Sequence, residues 1–331
     1  MAIRTVIKWI NDALATKDIG PAMTHYRIMN KEICATNGRI TAAHPWPDDN
    51  EFLVSGVEFE KILARMEGQE DDPKFTTISD DRINIRSGRF HGTIYTLPID
   101  SWDYPGVEEA KWLPIPVTLI DVLKTLRAFI SDNPSQMWAG CVALENDNCY
   151  ATNNIAVAGA ACPVGAIEAL LPSFAIDFIM KRLDNLESWA WTENYVAFRW
   201  HLPDGTFAWM RSQLVIGRFP EKAAAMVREA YDSNPTQEIT EQFREVFNDV
   251  AGLAEDTIKI FSNRIESKFK KSVIEGTIEC EIPEEKEYSI WGARFLVPVI
   301  AQATHWSPSV WPKPAPFRGE HVAGFIVGRK E

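Results

Sequence analysis

The sequence YATNNIAVA at residues 150–158 repeats the sequence CATNGRITA at residues 34–42, and this repetition decides the fold. Each residue of the second stretch lies 116 positions after its counterpart, and each stretch runs on to a proline, Pro47 or Pro163. The same offset places an apolar helical pattern at residues 6–10 on another at residues 122–126. A fixed offset of this length indicates tandem copies of one structural unit.

Apolar spacing predicts which elements each copy contains. Isoleucine, valine, leucine and phenylalanine recur at i, i+3, i+4 and i+7, which predicts four helices, over residues 3–14, 57–66, 119–126 and 174–183. Alternation of apolar and polar residues predicts paired strands over residues 81–98 and 194–211. Both copies therefore share the order helix, strands, helix, strands.

The remainder of the chain fits a third, shorter copy. A helical pattern covers residues 243–253, strands are predicted over 258–265 and 272–282, a helix containing Pro298 covers 294–304, and a closing strand covers 322–327. We expect linkers over residues 104–116, which contain three prolines, and over residues 219–235. The predicted domains are residues 1–110, 111–225 and 226–331.

Composition excludes several classes of protein. The 331 residues carry a net charge of −12, which disfavours a protein that binds nucleic acid over its whole surface. Five cysteines without a CxxC pair predict free thiols in a reducing cytoplasm. The sequence has no signal-peptide layout, membrane span, Walker loop, GxGxxG or HExxH, so we expect no membrane association, cofactor, metal or nucleotide hydrolysis. The acidic runs at residues 48–51 and 70–72 are interpreted as solvated loops, and the tryptophans as core residues.

Three short motifs, in order along the chain, carry a resemblance to a known family. They are Ile-Arg-Ser-Gly-Arg-Phe at residues 85–90 with Tyr-Thr-Leu-Pro and Trp-Asp-Tyr-Pro after it, Ala-Thr-Asn at 151–153, and Ile-Gly-Arg-Phe-Pro at 216–220. Together with the three units, they resemble the bacterial-type sliding clamp, the β subunit of replicative DNA polymerase. The resemblance implies an α+β fold of three tandem clamp-type domains, each with two helices packed on antiparallel sheets, that assemble into a ring.

The resemblance also implies a function and partners. A clamp is not an enzyme: it is a cytoplasmic homodimer that encircles double-stranded DNA without reading its sequence, and it binds the DNA polymerase and the clamp loader through their short linear motifs. The short third unit is typical of a divergent clamp, such as a phage would encode. The alternative hypothesis is a clamp-fold scaffold or decoy that binds replication proteins without encircling DNA; an enzyme is the third and least favoured hypothesis.

Three sets of residues are predicted to serve this function. Basic residues on the helices would face DNA, and the first three pairs share a helix face because they are three or four positions apart: Arg4, Lys8, Lys61, Arg65, Lys124, Arg127, Lys181, Arg182, Arg244 and Arg294. By position, an apolar pocket between domains two and three would bind partner peptides, and would be lined by Trp138, Thr152, Ile155, Pro220, Ala225, Met226, Phe325, Ile326 and Val327.

The third set would close the ring. The strand around residues 86–94 is the expected edge of domain one, and residues 266–271 are the nearest counterpart of the facing segment in domain three. The predicted interface residues are Arg86, Arg89, Phe90, Lys268 and Lys270. Because the family carries acidic residues in the facing segment and this chain carries basic ones there, an open or weak ring is a second possibility.

Overall fold

The computed structural model of the chain describes residues 3–17, 20, 22–66, 72–101, 105–107, 110–132 and 134–330. Its helices are α1 (Ile3–Ile10), α2 (Gly56–Arg65), α3 (Leu119–Arg127), α4 (Ser173–Met180), α5 (Glu221–Asp232), α6 (Glu241–Ala251) and α7 (Ala293–Gln302). Its first strands are β1 (His25–Met29), β2 (Glu32–Thr36), β3 (Ile40–Pro45), β4 (Phe52–Ser55), β5 (Lys74–Ser79), β6 (Arg82–Ser87), β7 (Phe90–Leu97), β8 (Leu113–Pro114), β9 (Cys141–Glu145), β10 (Asn148–Thr152), β11 (Ala156–Ala161) and β12 (Glu168–Pro172). The later strands are β13 (Leu186–Trp191), β14 (Tyr195–His201), β15 (Phe207–Gln213), β16 (Gln237–Glu238), β17 (Thr257–Phe261), β18 (Arg264–Phe269), β19 (Ser272–Thr277), β20 (Tyr288–Gly292), β21 (His305–Trp306), β22 (Ala315–Arg318) and β23 (Ala323–Ile326).

These elements form two compact units. Unit 1 contains residues 1–115 and 177–214, and unit 2 contains residues 116–176 and 215–331. Unit 1 holds an eleven-stranded sheet in the order β5-β6-β7-β4-β1-β2-β3-β15-β14-β13-β8. Unit 2 holds an eight-stranded sheet in the order β12-β9-β10-β11-β23-β22-β21-β16 and a four-stranded sheet in the order β19-β18-β17-β20. The predicted α+β class is confirmed. The three predicted domains, residues 1–110, 111–225 and 226–331, remain predictions.

Apolar faces account for the packing within each unit. In α1 the buried residues are Ile3, Val6, Ile7 and Ile10, which is the spacing that the sequence predicted, and the helix packs on β3. Most of the tryptophans interpreted as core residues are buried, among them Trp189, Trp200, Trp291 and Trp306, whereas Trp191 is half-buried. Burial of large aromatic side chains supplies much of the stabilisation of such cores.

In each unit, one pairing between strands that are distant in sequence extends the sheet in the same way. In unit 1, β15 joins β3 with Ser212 opposite Ile40. In unit 2, β23 joins β11 with Ile326 opposite Ala156. Strands distant in sequence therefore complete each sheet. Backbone hydrogen bonds, which are local in a hairpin, here hold together segments more than a hundred residues apart.

Three predictions about local structure were wrong. Residues 219–235 are not a linker, because α5 occupies Glu221–Asp232. Residues 258–265 are not one strand, because the chain turns at residues 262–263 between β17 and β18. In the linker predicted at 104–116, residues 113–114 form β8, which pairs with β13. Trp102, Asp103 and Tyr104 of the Trp-Asp-Tyr-Pro motif, and the acidic pair at 70–71, lie outside the described residues.

No helix within the described ranges is long and apolar enough to span a membrane. Among the residues that the structure describes, no three His, Cys, Asp or Glu side chains are grouped so that they could hold a metal ion.

Candidate functional site

A tight turn between β10 and β11 sets the position of Ile155. The Asn153 side chain accepts hydrogen bonds from the backbone N–H of Ile155 and Ala156, at 3.1 and 2.8 Å. The Thr152 hydroxyl donates to the Ala156 carbonyl at 2.8 Å and accepts from the Asn154 N–H at 3.0 Å. Asn and Thr side chains satisfy backbone groups in this way in turns. The Ile155 carbonyl then accepts from the Val327 N–H at 2.9 Å, which brings the end of β23 beside the turn.

Helix α5 covers an apolar cluster next to this turn. Ala224, Val227 and Ala230 form its buried face, and it packs on β11, β22 and β23. The cluster contains Phe219 and Phe325, with the half-buried Trp138 and Met226 packed against it. Small alanine side chains let the helix approach the sheet closely, while the aromatic rings fill the remaining space.

The predicted pocket residues fall into two groups. Ile155, Met226 and Trp138 are half-buried, and Val327 is 38% exposed, so these apolar side chains are partly accessible. Ala225 is exposed on α5, Pro220 precedes that helix, and Phe325 is buried in the cluster.

Two of the predicted pocket residues have structural roles instead. Thr152 is buried, and its hydroxyl is used within the turn. Ile326 is fully buried and alternates with Phe325 and Val327, so its side chain lies on the opposite face of β23.

Sequence reasoning missed two aromatic residues at the centre of the cluster. The rings of Tyr150 and Phe219 stack with their centroids 5.6 Å apart, and Trp138 meets Phe219 edge-on at 6.3 Å. Burial raises the pKa of Tyr150, so its hydroxyl stays neutral. Both residues belong to motifs that could have identified them: Tyr150 begins the repeated stretch, and Phe219 lies in the Gly-Arg-Phe-Pro motif.

Five of the ten predicted DNA-facing residues are exposed on helices, opposite buried apolar faces. They are Lys8 on α1, Lys61 and Arg65 on α2, Lys124 on α3 and Arg294 on α7. Arg4 on α1 is half-buried. On α7 the guanidinium of Arg294 lies 4.4 Å from the centroid of the Phe295 ring. Each of these helices therefore presents positive charge on the side away from its sheet.

The other predicted DNA-facing residues bind protein groups. Arg182, whose side chain is 8% exposed, donates to Asp12 at 2.9 Å and to the Trp9 and Phe178 carbonyls at 2.8 and 3.0 Å. Lys181 also binds Asp12, at 3.1 Å.

Arg127 and Arg244 are likewise engaged. Arg127 forms an ion pair with Asp132 at 3.1 Å. Arg244 donates to the carbonyls of Ile300 and Ala303, at the end of α7. Around Arg244, the exposed face of α6 carries Glu241, Glu245 and Asp249, so that helix is acidic.

The predicted ring interface lies at sheet edges only in part. Arg86 is on β6, which is paired on both sides by β5 and β7. Phe90 begins β7, and of its residues only Thr96 and Leu97 pair with β4; within the described chain, residues 90–95 have no strand on that side. Arg89 is exposed in the turn before β7.

In the four-stranded sheet of unit 2, the two edge strands are β19 and β20. Lys268 lies on the inner strand β18, and Lys270 lies in the hairpin turn with a positive φ of 54°. Lys268 and Lys270 therefore lie next to the edge strand β19, residues 272–277, and their place in a ring interface stays a prediction.

Solved structures with this fold were found, although no family model and no curated protein sequence matches the chain. The DNA polymerase III β subunit of Caulobacter crescentus superposes with a TM-score of 0.78 at 13% identity, covering 100% of this chain and 98% of that one. The subunit from Pseudomonas aeruginosa gives 0.75 at 13% identity, with coverage of 100% and 98%. The β clamp of Helicobacter pylori, bound to a DNA ligase peptide, gives 0.73 at 14% identity, with coverage of 99% and 98%.

The chain therefore has the fold of DNA sliding clamps along its whole length. In particular, its fold is that of the bacterial DNA polymerase III β subunit, as the three motifs indicated.

Proposed function

We propose that this protein is a DNA sliding clamp that encircles duplex DNA and tethers the replicative polymerase. The observation that carries the proposal is the set of exposed basic residues on α1, α2, α3 and α7, in a fold that matches clamps from end to end. A sparse set of cations suits a ring held on DNA by topology, since weak, sequence-independent attraction to phosphates permits sliding. The acidic balance of the whole chain, −12, limits binding elsewhere.

Closure of the ring requires two copies. We propose that the open stretch of β7, residues 90–95, pairs with the open edge β19 of a second copy. Unpaired strand edges readily add another strand. Exposed Arg86 and Arg89 lie beside the first edge, whereas exposed Glu275 on the second lies next to exposed Lys268, Lys270 and Lys271. The pairing is therefore proposed from the unpaired backbone edges and not from charge. Light scattering after gel filtration should give twice 37.4 kDa.

Encirclement of DNA is tested by asking whether the protein is topologically linked to closed circular DNA. The protein is incubated with linear duplex DNA so that rings thread over the ends, the DNA is ligated into circles, and the mixture is filtered through a gel in high salt. A clamp stays with the circles and is released when a nuclease linearises them. Protein that leaves the circles in high salt before cutting, although it is dimeric, would refute encirclement.

The partner site is proposed to be the accessible surface formed by Ile155, Met226, Trp138 and Val327. Apolar anchors supply most of the affinity of short peptides. The DNA ligase peptide bound by the H. pylori clamp is a suitable probe. We expect Ile155→Ala with Val327→Ala to weaken its binding about tenfold or more, since two truncated anchors remove roughly 1–2 kcal/mol or more.

A matched control comes from the same unit. Val310 is 37% exposed, nearly as much as Val327, and lies away from the cluster in sequence. Val310→Ala should leave peptide affinity unchanged. Equal loss in both variants would mean that the peptide binds elsewhere.

One observation favours the second candidate, a clamp-fold scaffold that does not encircle DNA. The acidic outer face of α6 would repel phosphates if it lined a ring. The threading experiment separates the two functions, because a scaffold would bind the peptide but would not remain on closed circles.

A further inference from the structure

The turn between β2 and β3 contains the only Asn-Gly sequence in the chain, Asn37-Gly38. Asparagine is a thermolabile residue, because its side-chain amide can lose ammonia. A following glycine favours this loss, since a residue without a Cβ lets its own backbone nitrogen approach the amide carbon closely. How readily the reaction runs in a folded protein depends on how the turn holds the two residues.

The hydrogen bonds of this turn engage both reacting groups. The Asn37 side-chain oxygen, Oδ1, accepts from the backbone N–H groups of Arg39 and Ile40 at 3.0 and 2.9 Å. Two such donors stabilise the negative charge that develops on a carbonyl oxygen when a nucleophile attacks its carbon. The Gly38 N–H donates to the Thr36 hydroxyl at 3.2 Å, so an acceptor lies at the proton that the attacking nitrogen must lose.

The leaving group and the solvent are also favourably placed. Among the described residues, the Asn37 amide nitrogen Nδ2 donates to the Asp12 carbonyl, at 3.4 Å, which is long for a hydrogen bond. Asn37 and Gly38 are half-buried at the tip of the turn, so water has access to them. The amide nitrogen is therefore held weakly at a position where it can leave.

The turn between β10 and β11 in unit 2 is a matched control within the same chain. The Asn153 side chain accepts from two backbone N–H groups, and the Thr152 hydroxyl accepts from the Asn154 N–H, as in unit 1. The third residue of each turn has a positive φ, 80° at Gly38 and 72° at Asn154. The difference is that Asn154 carries a side chain, which crowds its own nitrogen. The unit 2 turn should therefore react slowly.

We propose that Asn37 is a site of spontaneous covalent modification in the folded protein, with water as the only co-reactant. The Gly38 nitrogen bonds to the Asn37 Cγ and loses its proton, the Cγ–Nδ2 bond breaks, and ammonia leaves, which gives a five-membered succinimide. Water then opens the ring at either carbonyl. One opening gives aspartate, and the other gives isoaspartate, in which the main chain runs through the former side chain.

The modified turn would weaken the place where β15 joins β3. A carboxylate at residue 37 has no N–H to donate to the Asp12 carbonyl. In isoaspartate, an extra main-chain methylene displaces the oxygen that holds the N–H groups of Arg39 and Ile40. The Arg39 carbonyl in turn accepts from the Gln213 N–H at 3.0 Å, just beyond that strand pairing. Modification should therefore destabilise unit 1 and leave unit 2 unchanged, whatever the function of the protein.

The test is a long incubation of the folded full chain in a mildly alkaline buffer, followed by peptide mapping with mass spectrometry. The peptide that contains residue 37 should gain the mass difference between an amide and a carboxyl group and should contain both isoaspartate and aspartate. The peptide that contains Asn153 should not change. Gly38→Asn, which copies the unit 2 turn, should slow the reaction about tenfold or more, whereas Asn154→Gly should make Asn153 reactive.

The Cβ added by Gly38→Asn would meet the flexible end of the Met23 side chain, at 3.3 Å, and circular dichroism must show an unchanged fold. If it does not, Asn154→Gly carries the test, because it leaves unit 1 as it is. An unmodified residue 37 in the folded protein, together with a reactive one in urea, would overturn the proposal, since the turn would then protect Asn37. Equal rates at Asn37 and Asn153, or aspartate without isoaspartate, would overturn it as well, because neither fits a succinimide that depends on Gly38.

Discussion

Asp12 is expected to stabilise unit 1 through its bonds to Arg182 and Lys181, and Asp12→Asn isolates the charge in that interaction. Burial tends to raise the pKa of Asp12, but the hydrogen bonds and charges of Arg182 and Lys181 outweigh it, so the pKa lies below its usual value. Asparagine has nearly the same shape and keeps one acceptor oxygen. The substitution therefore removes the charge while the packing is preserved.

The structure sets the size of the effect. Hydrogen bonds to charged groups contribute about 1.5–3 kcal/mol. The Asp12 side chain is 40% exposed and that of Lys181 is 62% exposed, so solvent screens most of the lysine's contribution. The Arg182 bond is the better shielded one, because that side chain is 8% exposed. We expect Asp12→Asn to lower the free energy of unfolding by about 1–2 kcal/mol at pH 7.

The pH dependence follows from the direction of the shift. A carboxyl group whose pKa is lowered on folding contributes stability above its unfolded pKa of about 4 and loses it as the pH falls through the folded value. The gap between the two proteins should therefore close between about pH 5 and pH 3. Urea unfolding followed by tryptophan fluorescence is a suitable assay, because Trp9 and Trp200 pack together beside Arg182.

Asp184→Asn, an exposed change in the same segment, is the control and should leave the unfolding curve unaltered. The reasoning is refuted if Asp12→Asn unfolds at the same urea concentration as the unchanged protein at pH 7. A gap that persists undiminished at pH 3 would also refute it, since the lost interaction would then not be the carboxylate's charge.

Three further predictions address DNA, packing and thiol chemistry. Lys8→Glu with Lys124→Glu should leave folding intact and reduce retention on ligated DNA circles, because both side chains are exposed on helices; unchanged retention would remove them from the lining. Gly324→Ala should destabilise unit 2 by about 2 kcal/mol or more in a thermal melt, since the added methyl would lie 2.0 Å from a β11 carbonyl oxygen. A hydrogen bond from Cys149 lowers the pKa of Cys162, so thiolate absorbance at 240 nm should begin to rise at a lower pH in the unchanged protein than in Cys162→Ser.

Local periodicity was enough to predict the described helices other than α5. Helices α1, α2, α3 and α6 each bury one apolar stripe, and such a stripe is visible in the sequence. Helix α5 was missed although Ala224, Val227 and Ala230 carry the same spacing, because the preceding Gly-Arg-Phe-Pro motif was interpreted as the start of a linker. The turn within 258–265 was missed because two short strands joined at a two-residue turn resemble one longer apolar run.

The candidate sites were less predictable, because they depend on partners distant in the sequence. The sequence does not show whether a basic side chain on a helix is solvated or paired with a carboxylate. Arg182 was predicted to contact DNA, whereas the fold places Asp12 beside it. In the same way, the open stretch of β7 follows from where β4 stops pairing, which no local pattern encodes. The repeated Thr-Asn turn was visible at once, since its hydrogen bonds are made by neighbouring residues.

The division of unit 1 between residues 1–115 and 177–214 has a consequence for synthesis on the ribosome. Its sheet cannot be completed when the first 115 residues have emerged, because β15, the strand beside β3, is translated about a hundred residues later. Until then β3 is an unpaired edge strand of the nascent chain, which can pair with strands of other chains. A fragment ended at residue 115 is therefore expected to aggregate, whereas one extended to residue 214 carries every strand that its first sheet needs.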